Sequence, residues 1–516
     1  MQRSGKLCGY IYNNFGIVVI WRRKITSASS YYYGRRLGMN DAYPFVYKFR
    51  TNKNGYVYDV NTNNILRVTD DVYKEIDTKP WSNRQIRDAF ESGIISNKRP
   101  LRIIPAVSFK KMKEVLQGDI QKIILFVADY CNLSCSYCYY SDIYERSKNL
   151  NGKFMDWDIA KEAIDFYLQH SKDDKGDEKA ICFYGGEPFL NFEVIQKSVE
   201  YIRSKRGWIV VAISTNLTLL DKDILDFLID NRIHLSVSLD GPEELHDRYR
   251  IFKNGKGSFG IVLKNLKKIY ERDMEYFYNF VIFNVTAAPP IDYTKIHDFF
   301  SSSKLFSKSW YANIGKISFT GGPRFKDKYG FDRNEGEETE EKLFERFRGK
   351  IVNEGRCKDR FLLRFYYPHF WKIYNRLMVP LPSLIKERNA CIPGQLRLLV
   401  APDGDLYPCE KGISTIKIGC LDGGFDFEKC YELIREYTKI RTELCRDCWA
   451  IRFCNTCYLG AEKDGKMDKE VKKEECTYVK KHWGVMLKRF AEIMEERPDA
   501  FSESRKLIKM DRIFLL

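Results

Sequence analysis

The sequence contains no uninterrupted apolar stretch long enough to span a lipid bilayer. A membrane-spanning helix needs about 20 apolar residues, whereas the apolar run at residues 16–21 is short and is followed by Arg22, Arg23 and Lys24. That run is also too short for the core of a signal peptide, and its basic residues follow it instead of preceding it. We therefore expect a cytoplasmic protein without a membrane partner.

Most of the chain has few cysteines, although its 516 residues contain 15. The cytoplasm keeps thiols reduced, so clustered cysteines in such a chain indicate metal or redox ligands and not disulfides. Three lie close together at Cys131, Cys135 and Cys138, and a second group extends from Cys391 to Cys476. The sequence therefore predicts cysteine-based sites in two places.

Acidic residues are scarce at the start of the chain. The first 118 residues contain 21 lysines and arginines against nine aspartates and glutamates, and the whole chain has a net charge of +16. A solvated basic surface, a nucleic-acid site and attraction of an acidic peptide are all compatible with this composition. The charge alone does not decide among them.

The chain is too long for one hydrophobic core and divides into four predicted parts. Residues 1–118 contain a hairpin predicted around the turn at residues 61–64, and short helices capped by Thr69 and Ser82. This pattern favours a small winged-helix-like domain. Residues 119–325 alternate strands and helices, residues 326–385 form a bridging region, and residues 386–516 are cysteine-rich with a final helix.

The alternation in residues 119–325 predicts an α/β fold. Predicted strands occur at residues 123–128, 180–184, 209–213, 235–239, 279–285 and 317–320, with helix-like stretches between them. Strands that alternate with helices indicate a parallel sheet. Six units are too few for a closed eight-stranded barrel, so we expect a partial (β/α)6 barrel with its ligands at the carboxyl ends of the strands.

The first cysteine group follows directly after the first predicted barrel strand. Three thiolates bind three irons of a four-iron cluster, and the fourth iron stays open for chemistry. A structural zinc site would need a fourth ligand close to Cys131, Cys135 and Cys138, and the sequence has no histidine or further cysteine there. The spacing therefore favours a reactive iron–sulfur cluster.

This cysteine spacing, with Tyr137 before the last cysteine, resembles the signature of the radical S-adenosylmethionine (SAM) superfamily. Further motifs of that superfamily follow at successive predicted strand ends. The resemblance implies that SAM contacts Tyr137, Gly185, Gly186, Glu187, Pro188, Ser214, Asn216, Ser238, Arg250 and Val285. Glu187 would accept from the amino group of SAM and Arg250 would bind its carboxylate, and cleavage of SAM would supply a 5′-deoxyadenosyl radical.

The second cysteine group resembles the seven-cysteine SPASM pattern, which binds two auxiliary four-iron clusters, so the resemblance implies three clusters in total. The pattern departs in one spacing, because two residues and not three separate Cys454 from Cys457. The resemblance assigns Cys445, Cys448, Cys454 and Cys476 to the distal cluster, and Cys391, Cys409 and Cys457 to the proximal one. The fourth proximal position is left open for a substrate thiolate or for Cys357. The alternative of one or two zinc sites leaves Cys391, Cys409 and Cys476 unexplained.

Enzymes with a SPASM domain mostly modify peptides, and residues 58–68 resemble the peptide-recognition domain of ribosomal-peptide maturases. We therefore hypothesise a maturase that forms thioethers from cysteine in a precursor peptide with a leader, supplied with electrons by a ferredoxin or flavodoxin. Carbon–carbon cross-linking, epimerisation, oxidative decarboxylation and anaerobic sulfatase maturation are alternatives. A zinc-containing nucleic-acid-binding protein is a non-enzyme alternative, but a nucleic-acid partner is not expected. Asp240, Asp247 and Asp292 are candidate bases by location only.

Overall fold

The computed structural model describes residues 43–140, 152–172, 179–206, 209–317, 330, 335–387, 390–412 and 415–502, and the backbone of residues 11–12 and 17–20. Cys8 lies outside these residues. Within the described ranges, no helix combines the length and the apolar composition that crossing a bilayer requires. The fold is α/β, and its largest sheet is mostly parallel.

The N-terminal region forms a five-stranded antiparallel sheet in the order β1–β2–β5–β4–β3. Its strands are β1 (Ile11–Tyr12), β2 (Ile17–Ile20), β3 (Val46–Arg50), β4 (Gly55–Asp59) and β5 (Asn64–Val68). The predicted hairpin is confirmed, because β4 pairs with β5 and Asp59 lies opposite Asn64. The buried carboxylate of Asp59 holds the turn by accepting from the N–H groups of Thr62 (2.6 Å) and Ser96 (2.8 Å).

Three helices, α1 (Asp70–Glu75), α2 (Arg84–Glu91) and α3 (Phe109–Leu116), follow this sheet. Helix α1 begins after Thr69 as predicted. The cap predicted for α2 is wrong by one residue, because the side chain of Asn83 accepts from the N–H of Ile86. Ser82 instead donates to the carbonyl of Lys79 (2.7 Å) in a short 3-10 helix. Both residue types favour caps, so local sequence alone does not distinguish them. The winged-helix-like assignment stays a prediction.

Ten strands form the central sheet in the order β12–β11–β10–β9–β8–β7–β14–β15–β16–β17. They are β7 (Lys122–Ala128), β8 (Ala180–Gly185), β9 (Val210–Thr215), β10 (His234–Ser238), β11 (Val281–Ala287), β12 (Trp310–Lys316), β14 (Leu398–Val400), β15 (Asp405–Tyr407), β16 (Gly419–Cys420) and β17 (Gly424–Phe425). Strands β7 to β12 are parallel and lie in sequence order, as predicted.

Helices connect these strands and cover one face of the sheet. They are α4 (Trp157–His170), α5 (Phe192–Lys205), α6 (Lys222–Asp230), α7 (Glu243–His246), α8 (Phe259–Arg272), α9 (Met274–Phe280) and α10 (Tyr293–Ser302). The start of the fifth strand was predicted too early, because residues 279–280 belong to α9.

The sixth strand, predicted at residues 317–320, is observed as β12 at residues 310–316. Residues 318–320 lie outside the described residues. Asn313 and Gly315 weaken the local strand signal of β12, but aromatic packing stabilises it: the ring of Tyr311 contacts those of Phe283 and Phe361. Tertiary contacts therefore override the local propensity here.

The C-terminal region continues the central sheet. Strand β14 pairs in parallel with β7, and β15 to β17 add antiparallel strands beyond it. The remaining elements are β6 (Arg102–Ile104), which pairs with β13 (Leu384–Lys386), the hairpin β18 (Glu462–Lys463) and β19 (Lys466–Met467), and helices α11 (Glu337–Glu354), α12 (Arg360–Tyr374), α13 (Phe427–Cys445) and α14 (Lys469–Glu496).

Polar contacts hold the N-terminal sheet against the C-terminal region. The guanidinium of Arg452 donates to the carbonyl oxygens of Val60 and Asn61, both at 2.7 Å. Glu495, near the end of α14, accepts side-chain hydrogen bonds at 2.7 Å from Thr51 and Asn54, in the turn between β3 and β4, and from Tyr56 in β4. These contacts fix how the first region lies on the last helix.

The two faces of the parallel sheet differ, because side chains alternate along each strand. On the outer face, Val211, Ile213 and Val237 are fully buried in the main hydrophobic core. On the inner face, Ser214 and Ser238 are only half buried. A polar inner face that is not closed by packing is the part of the sheet that is available to a ligand.

Candidate active site

The loop after β7 holds the first three cysteines. Cys131 follows Ala128, the last residue of the strand, by three positions, and the N–H of Cys138 donates to the carbonyl of Cys135 (3.0 Å). All three thiols are partly buried and free of disulfides. They therefore lie at the carboxyl ends of the parallel strands, as predicted from the sequence.

The cysteine loop is anchored to the segment that follows β10. The N–H of Ser134 donates to the carbonyl of Ile251 (2.7 Å), and the N–H of Ser136 donates to that of Tyr249 (3.2 Å). These bonds join two predicted motifs that are more than 100 positions apart in the sequence. The loop conformation is thus set by its neighbours on the sheet as well as by its own residues.

Gly185 and Gly186 bring the end of β8 against the beginning of the same loop. A Cβ on Gly185 would lie 2.4 Å from the carbonyl oxygen of Ala128, and one on Gly186 would lie 2.2 Å from that of Tyr130. Gly185 has a φ of +148°, and the N–H of Gly186 donates to Ala128 (2.8 Å). The glycines therefore have a structural role in placing the cysteine loop, whatever else they contact.

Glu187 is fully buried, and its carboxylate is used by the protein itself. It accepts hydrogen bonds from the hydroxyl of Thr215 (2.7 Å) and from the N–H groups of Asn216 (2.7 Å) and Phe189 (3.1 Å). Burial raises the pKa of Glu187 to about 7, while these hydrogen bonds oppose the shift. The carboxylate thus joins the second and third strand ends, and Pro188 begins a short 3-10 helix directly after it.

Asp240 is the centre of a second buried network. One carboxylate oxygen accepts from Nε of Arg250 (2.8 Å) and from the hydroxyl of Tyr137, and the other accepts from the N–H of Thr286 (2.9 Å). The Arg250 guanidinium also lies over the Tyr137 ring, 5.4 Å from its centroid. Asp240 therefore positions Arg250 and Tyr137, and its role as a base stays a prediction.

The positive charge of Arg250 acts on all three cysteines. Burial raises the pKa of Cys131 to about 11 and that of Cys135 to about 12, and it also raises the pKa of Cys138. The Arg250 guanidinium opposes each of these shifts. A buried cation beside three thiols offsets the negative charge that they would carry as metal ligands, so the residues fit an anionic iron–sulfur group.

Within the described ranges, no three His, Cys, Asp or Glu side chains converge on a site for a single metal ion. Each thiolate of a four-iron cluster binds a different iron, so cluster ligands stand further apart than the ligands of one ion.

The other residues predicted to contact SAM lie at the next strand ends. Ser214 and Ser238 are on the half-buried inner face, and Asn216 Nδ2 lies 3.8 Å from the Sγ of Cys131. Val285 is different: its side chain is fully buried in the outer core. Its half-buried neighbour Asn284 is on the inner face instead, so any side-chain contact from β11 would come from there.

The two remaining candidate bases cap helices. Asp247 accepts from the N–H groups of Ser258 and Phe259 at the start of α8, both at 2.8 Å. Asp292 is the N-cap of α10 and accepts from the N–H of Lys295 (2.9 Å). These contacts give both carboxylates a structural role.

The structure brings the later cysteines together in two groups. Around the fully buried ring of Tyr458 lie Cys391, Cys409 and Cys457, all close enough to raise the pKa of its hydroxyl, which burial already raises. The Sγ of Cys391 is 3.9 Å from that hydroxyl. This group has the composition that the resemblance assigned to the proximal cluster.

The second group lies at the ends of α13 and α14. Burial raises the pKa values of Cys445 and Cys448, and Cys476 raises both further. Cys445 and Cys454 both lie close enough to Arg441 for their charges to raise the pKa of its guanidinium. Lys472 donates to the Sγ of Cys476 (3.4 Å), so the group includes a cation of its own.

Cys357 is buried in the main hydrophobic core, where Asp359, Lys350 and Glu354 influence its thiol. The alternative in which Cys357 completes the proximal set stays a prediction. Cys182, Cys420 and Cys430 are free thiols, of which Cys430 is fully buried.

Sequence reasoning missed a polar group on the inner face between the first and second cysteine sites. Tyr140 and Tyr184 share a hydrogen bond, and each is close enough to Cys138 and Glu410 for their charges to raise its pKa, which burial already raises. Arg397 forms a salt bridge with one oxygen of Glu410, and the other, Oε2, is buried without a hydrogen-bond partner among the described residues. The available signal was adjacency, because Tyr140 follows Cys138 closely and Glu410 follows Cys409.

Comparisons with known proteins find similarity over part of the chain. The model of the Radical SAM superfamily matches residues 125–293. An uncharacterized protein of Methanocaldococcus jannaschii is 39% identical over 153 residues, which are 29% of this chain and 48% of that protein. This chain therefore spans about half the length of that relative.

Two further relatives have named activities. A cysteine-type anaerobic sulfatase-maturating enzyme of Clostridium novyi is 24% identical over 311 residues, which are 59% of this chain and 77% of that enzyme. The radical SAM cyclopropyl synthase TigE of Paramaledivibacter caminithermalis is 25% identical over 240 residues, 44% of this chain and 49% of TigE.

Solved structures show the same fold. Native anSMEcpe with bound AdoMet aligns with a TM-score of 0.52 and 21% identity, over 74% of this chain and 99% of that chain. The same protein with bound AdoMet and Cp18Cys peptide aligns with a TM-score of 0.51 and 19% identity, over 75% of this chain and 99% of that chain. About a quarter of this chain therefore lies outside the shared fold.

Proposed function

We propose that this radical SAM enzyme modifies a ribosomally made peptide, and that it forms thioether bonds from a cysteine sulfur of that peptide. The observation that carries the proposal is that two of the cysteine groups follow strands of the same central sheet. Cys138 follows β7, Cys409 follows β15, and β14 alone separates these two strands in the sheet. A substrate on the inner face would therefore lie between the first and second cysteine sites.

In this proposal, Cys131, Cys135 and Cys138 would hold the four-iron cluster, and SAM bound beside it would supply a 5′-deoxyadenosyl radical. Arg250 has Nε engaged by Asp240, while its terminal nitrogens donate no hydrogen bond within the described residues. These nitrogens are the donors available for the carboxylate of SAM. Ser214, Ser238 and Asn284 supply further polar groups on the same face.

The two later cysteine groups would hold auxiliary iron–sulfur clusters. The proximal set contributes three cysteines, Cys391, Cys409 and Cys457. Glu410 lies beside it, and one oxygen of Glu410 has no hydrogen-bond partner in the part of the chain that the structure describes. Glu410 is our candidate for the group that takes the proton from the substrate thiol. Its other oxygen forms a salt bridge with Arg397, which fixes the position of the carboxylate.

A peptide substrate is supported by the relatives and by the extra length of this chain. The anaerobic sulfatase-maturating enzymes act on a protein substrate by name, and anSMEcpe has been solved with a peptide. The N-terminal antiparallel sheet is the kind of element that binds an extended peptide by adding a strand. We assign it to the leader of the precursor, and the basic excess of residues 1–118 would attract an acidic leader.

Conversion of a cysteine to formylglycine is the second candidate, because the similarity to sulfatase-maturating enzymes extends over more than half of this chain. The two reactions differ in what happens to sulfur. Thioether formation removes two hydrogens and keeps the sulfur in the peptide, whereas formylglycine formation removes the sulfur.

The test begins with the anaerobic, cluster-loaded protein, SAM and reductant. We expect 5′-deoxyadenosine from the wild type and none from the triple variant Cys131→Ala/Cys135→Ala/Cys138→Ala, with Cys420→Ala as a matched control that retains activity. Zinc without iron or sulfide in the wild type would contradict the proposal.

The second stage adds a cysteine-containing peptide encoded beside the gene and follows it by mass spectrometry. Loss of two hydrogens with sulfur retained supports thioether formation. Loss of sulfur supports formylglycine instead.

A further inference from the structure

We infer that a small acidic electron-carrier protein docks on one exposed surface beside the cysteine loop. This inference rests on the proposed function, because the carrier would reduce the cluster held there. The surface consists of Tyr130, Lys153, Phe154, Lys253 and Lys256, and we call it the basic turn surface. Each of the five side chains is exposed.

The charge of this surface comes from a segment with an unusual composition. Residues 248–270 contain two arginines and five lysines and no aspartate or glutamate. Within this segment a tight turn carries Lys253 and Lys256, closed by the N–H of Phe252 donating to the carbonyl of Lys256 (2.8 Å). Gly255 has a φ of +82°, which a tight turn accepts at glycine. The turn therefore presents its two lysines in a fixed geometry.

Aromatic side chains lie beside the charge. Tyr130 is 38% exposed and Phe154 is 46% exposed, with their ring centroids 6.4 Å apart. The Nζ of Lys253 is 3.9 Å from the centroid of the Tyr130 ring. Exposed aromatic groups with neighbouring cations are typical of protein–protein contact surfaces, where the rings supply buried area and the charges supply orientation.

The surface is connected directly to the thiols. Tyr130 precedes Cys131 in the chain, and Leu133 forms a β-bridge with Phe252 at the base of the turn. A carrier bound to Lys253 would thus be separated from the cysteine loop by a few residues of bonded protein. The peptide substrate is expected on the inner face of the sheet, so the two partners would use different surfaces.

The electron balance of this step is simple. The reduced carrier loses one electron and the group on the cysteine loop gains it, and no covalent bond forms or breaks. An acidic carrier fits because the surface offers three lysines, Lys153, Lys253 and Lys256, none of which forms a salt bridge within the described residues. Opposite charges accelerate such encounters by about 10- to 1000-fold at low ionic strength.

The experiment compares two reductants on the cluster-loaded enzyme. The test variant is Lys153→Glu/Lys253→Glu/Lys256→Glu. The matched control is Lys172→Glu/Lys205→Glu/Lys304→Glu, which changes three exposed lysines after α4, at the end of α5 and after α10. Formation of 5′-deoxyadenosine is measured with dithionite and with an acidic flavodoxin reduced by its reductase, and binding of oxidised flavodoxin is measured by calorimetry.

We expect the flavodoxin-supported rate of the test variant to fall at least about tenfold at low salt, with a matching rise in the Kd for flavodoxin. Its dithionite-supported rate and iron content should stay within about twofold of wild type, and the control variant should match wild type in every assay. Raising the salt concentration should slow the flavodoxin-supported wild-type reaction alone.

Two results would overturn the inference: an unchanged flavodoxin-supported rate in the test variant, or an equal loss with both reductants. A wild-type enzyme that forms no 5′-deoxyadenosine with either reductant would instead refute the proposed function on which the inference rests.

Discussion

The close approach between Gly186 and the cysteine loop makes Gly186→Ala the sharpest test of how that loop is held. The added Cβ would lie 2.2 Å from the carbonyl oxygen of Tyr130 and 2.9 Å from the nitrogen of Cys131. Ordinary contact begins at 3.4 Å, so the two backbones have to separate by about 1.2 Å. Both contacting atoms belong to the backbone, and no side-chain rotation relieves the clash.

The expected loss of stability follows from the backbone hydrogen bonds between the end of β8 and the start of the cysteine loop. The N–H of Gly186 donates to Ala128 (2.8 Å), and the N–H of Glu187 donates to Tyr130 (3.0 Å). Losing two hydrogen bonds costs about 0.5–1.5 kcal/mol each, and overpacking costs about 1–3 kcal/mol. We therefore expect Gly186→Ala to lower the free energy of unfolding by about 2–6 kcal/mol.

The assay is urea unfolding under anaerobic conditions, together with iron and sulfide analysis. We expect Gly186→Ala to lose the iron of one cluster and its production of 5′-deoxyadenosine. Gly260→Ala is the matched control, because a Cβ at Gly260 in α8 meets nothing within 4 Å. It should gain up to about 1 kcal/mol from the better helix propensity of alanine. Wild-type stability and iron content in Gly186→Ala would refute the reasoning.

Three further predictions concern charge and domain contacts. Burial raises the pKa of Glu187 to about 7, against 4.5 in an unfolded chain. Between pH 4.5 and pH 7 the folded state therefore keeps a proton that the unfolded state has lost, and the free energy of unfolding falls by about 3 kcal/mol as the pH rises through this range. Glu187→Gln should remove this part of the pH dependence in urea titrations at pH 5 and pH 8. Asp240→Asn leaves the buried Arg250 without its carboxylate, which should cost about 3–5 kcal/mol and weaken SAM binding in calorimetry. Arg452→Gln removes the donors to the carbonyls of residues 60 and 61, so limited proteolysis should release the N-terminal sheet at protease concentrations that leave the wild type intact.

The parallel sheet was predictable because its signal is periodic and local. Buried outer residues such as Ile213 and Val237 recur every second position, and the helices between the strands have their own spacing. Strand β12 was misplaced because its stability comes from ring contacts of Tyr311 with distant residues. Strand β14 was missed for a similar reason, since its partner β7 is more than 250 positions earlier in the chain.

The positions of the site residues were also predictable from local motifs, whereas the roles of the carboxylates depend on contacts between distant parts of the chain. Motif spacing predicted Cys131, Arg250 and Glu187 as site residues, and the structure places each of them after the end of a parallel strand. Motif spacing could not assign roles to carboxylates, since Asp240 binds Arg250 and Asp247 caps a helix through contacts that only the folded chain creates. A carboxylate near a strand end is therefore a weak indicator of catalysis until its hydrogen-bond partners are known.

The inner face of the sheet connects the first cysteine site with the second. Cys138 packs with Tyr140 and Tyr184 in one cluster that also includes residues of β14 and β15. Glu410 influences both tyrosines and follows Cys409 in sequence. Strand β14 lies between β7 and β15, and β15 runs antiparallel to both. Cys409 therefore follows the end of β15 that lies opposite to the carboxyl end of β7, and the inner face connects it with the loop that would generate the radical. A shift of β14 should therefore disturb both sites together, whereas two independently folded metal domains would respond separately.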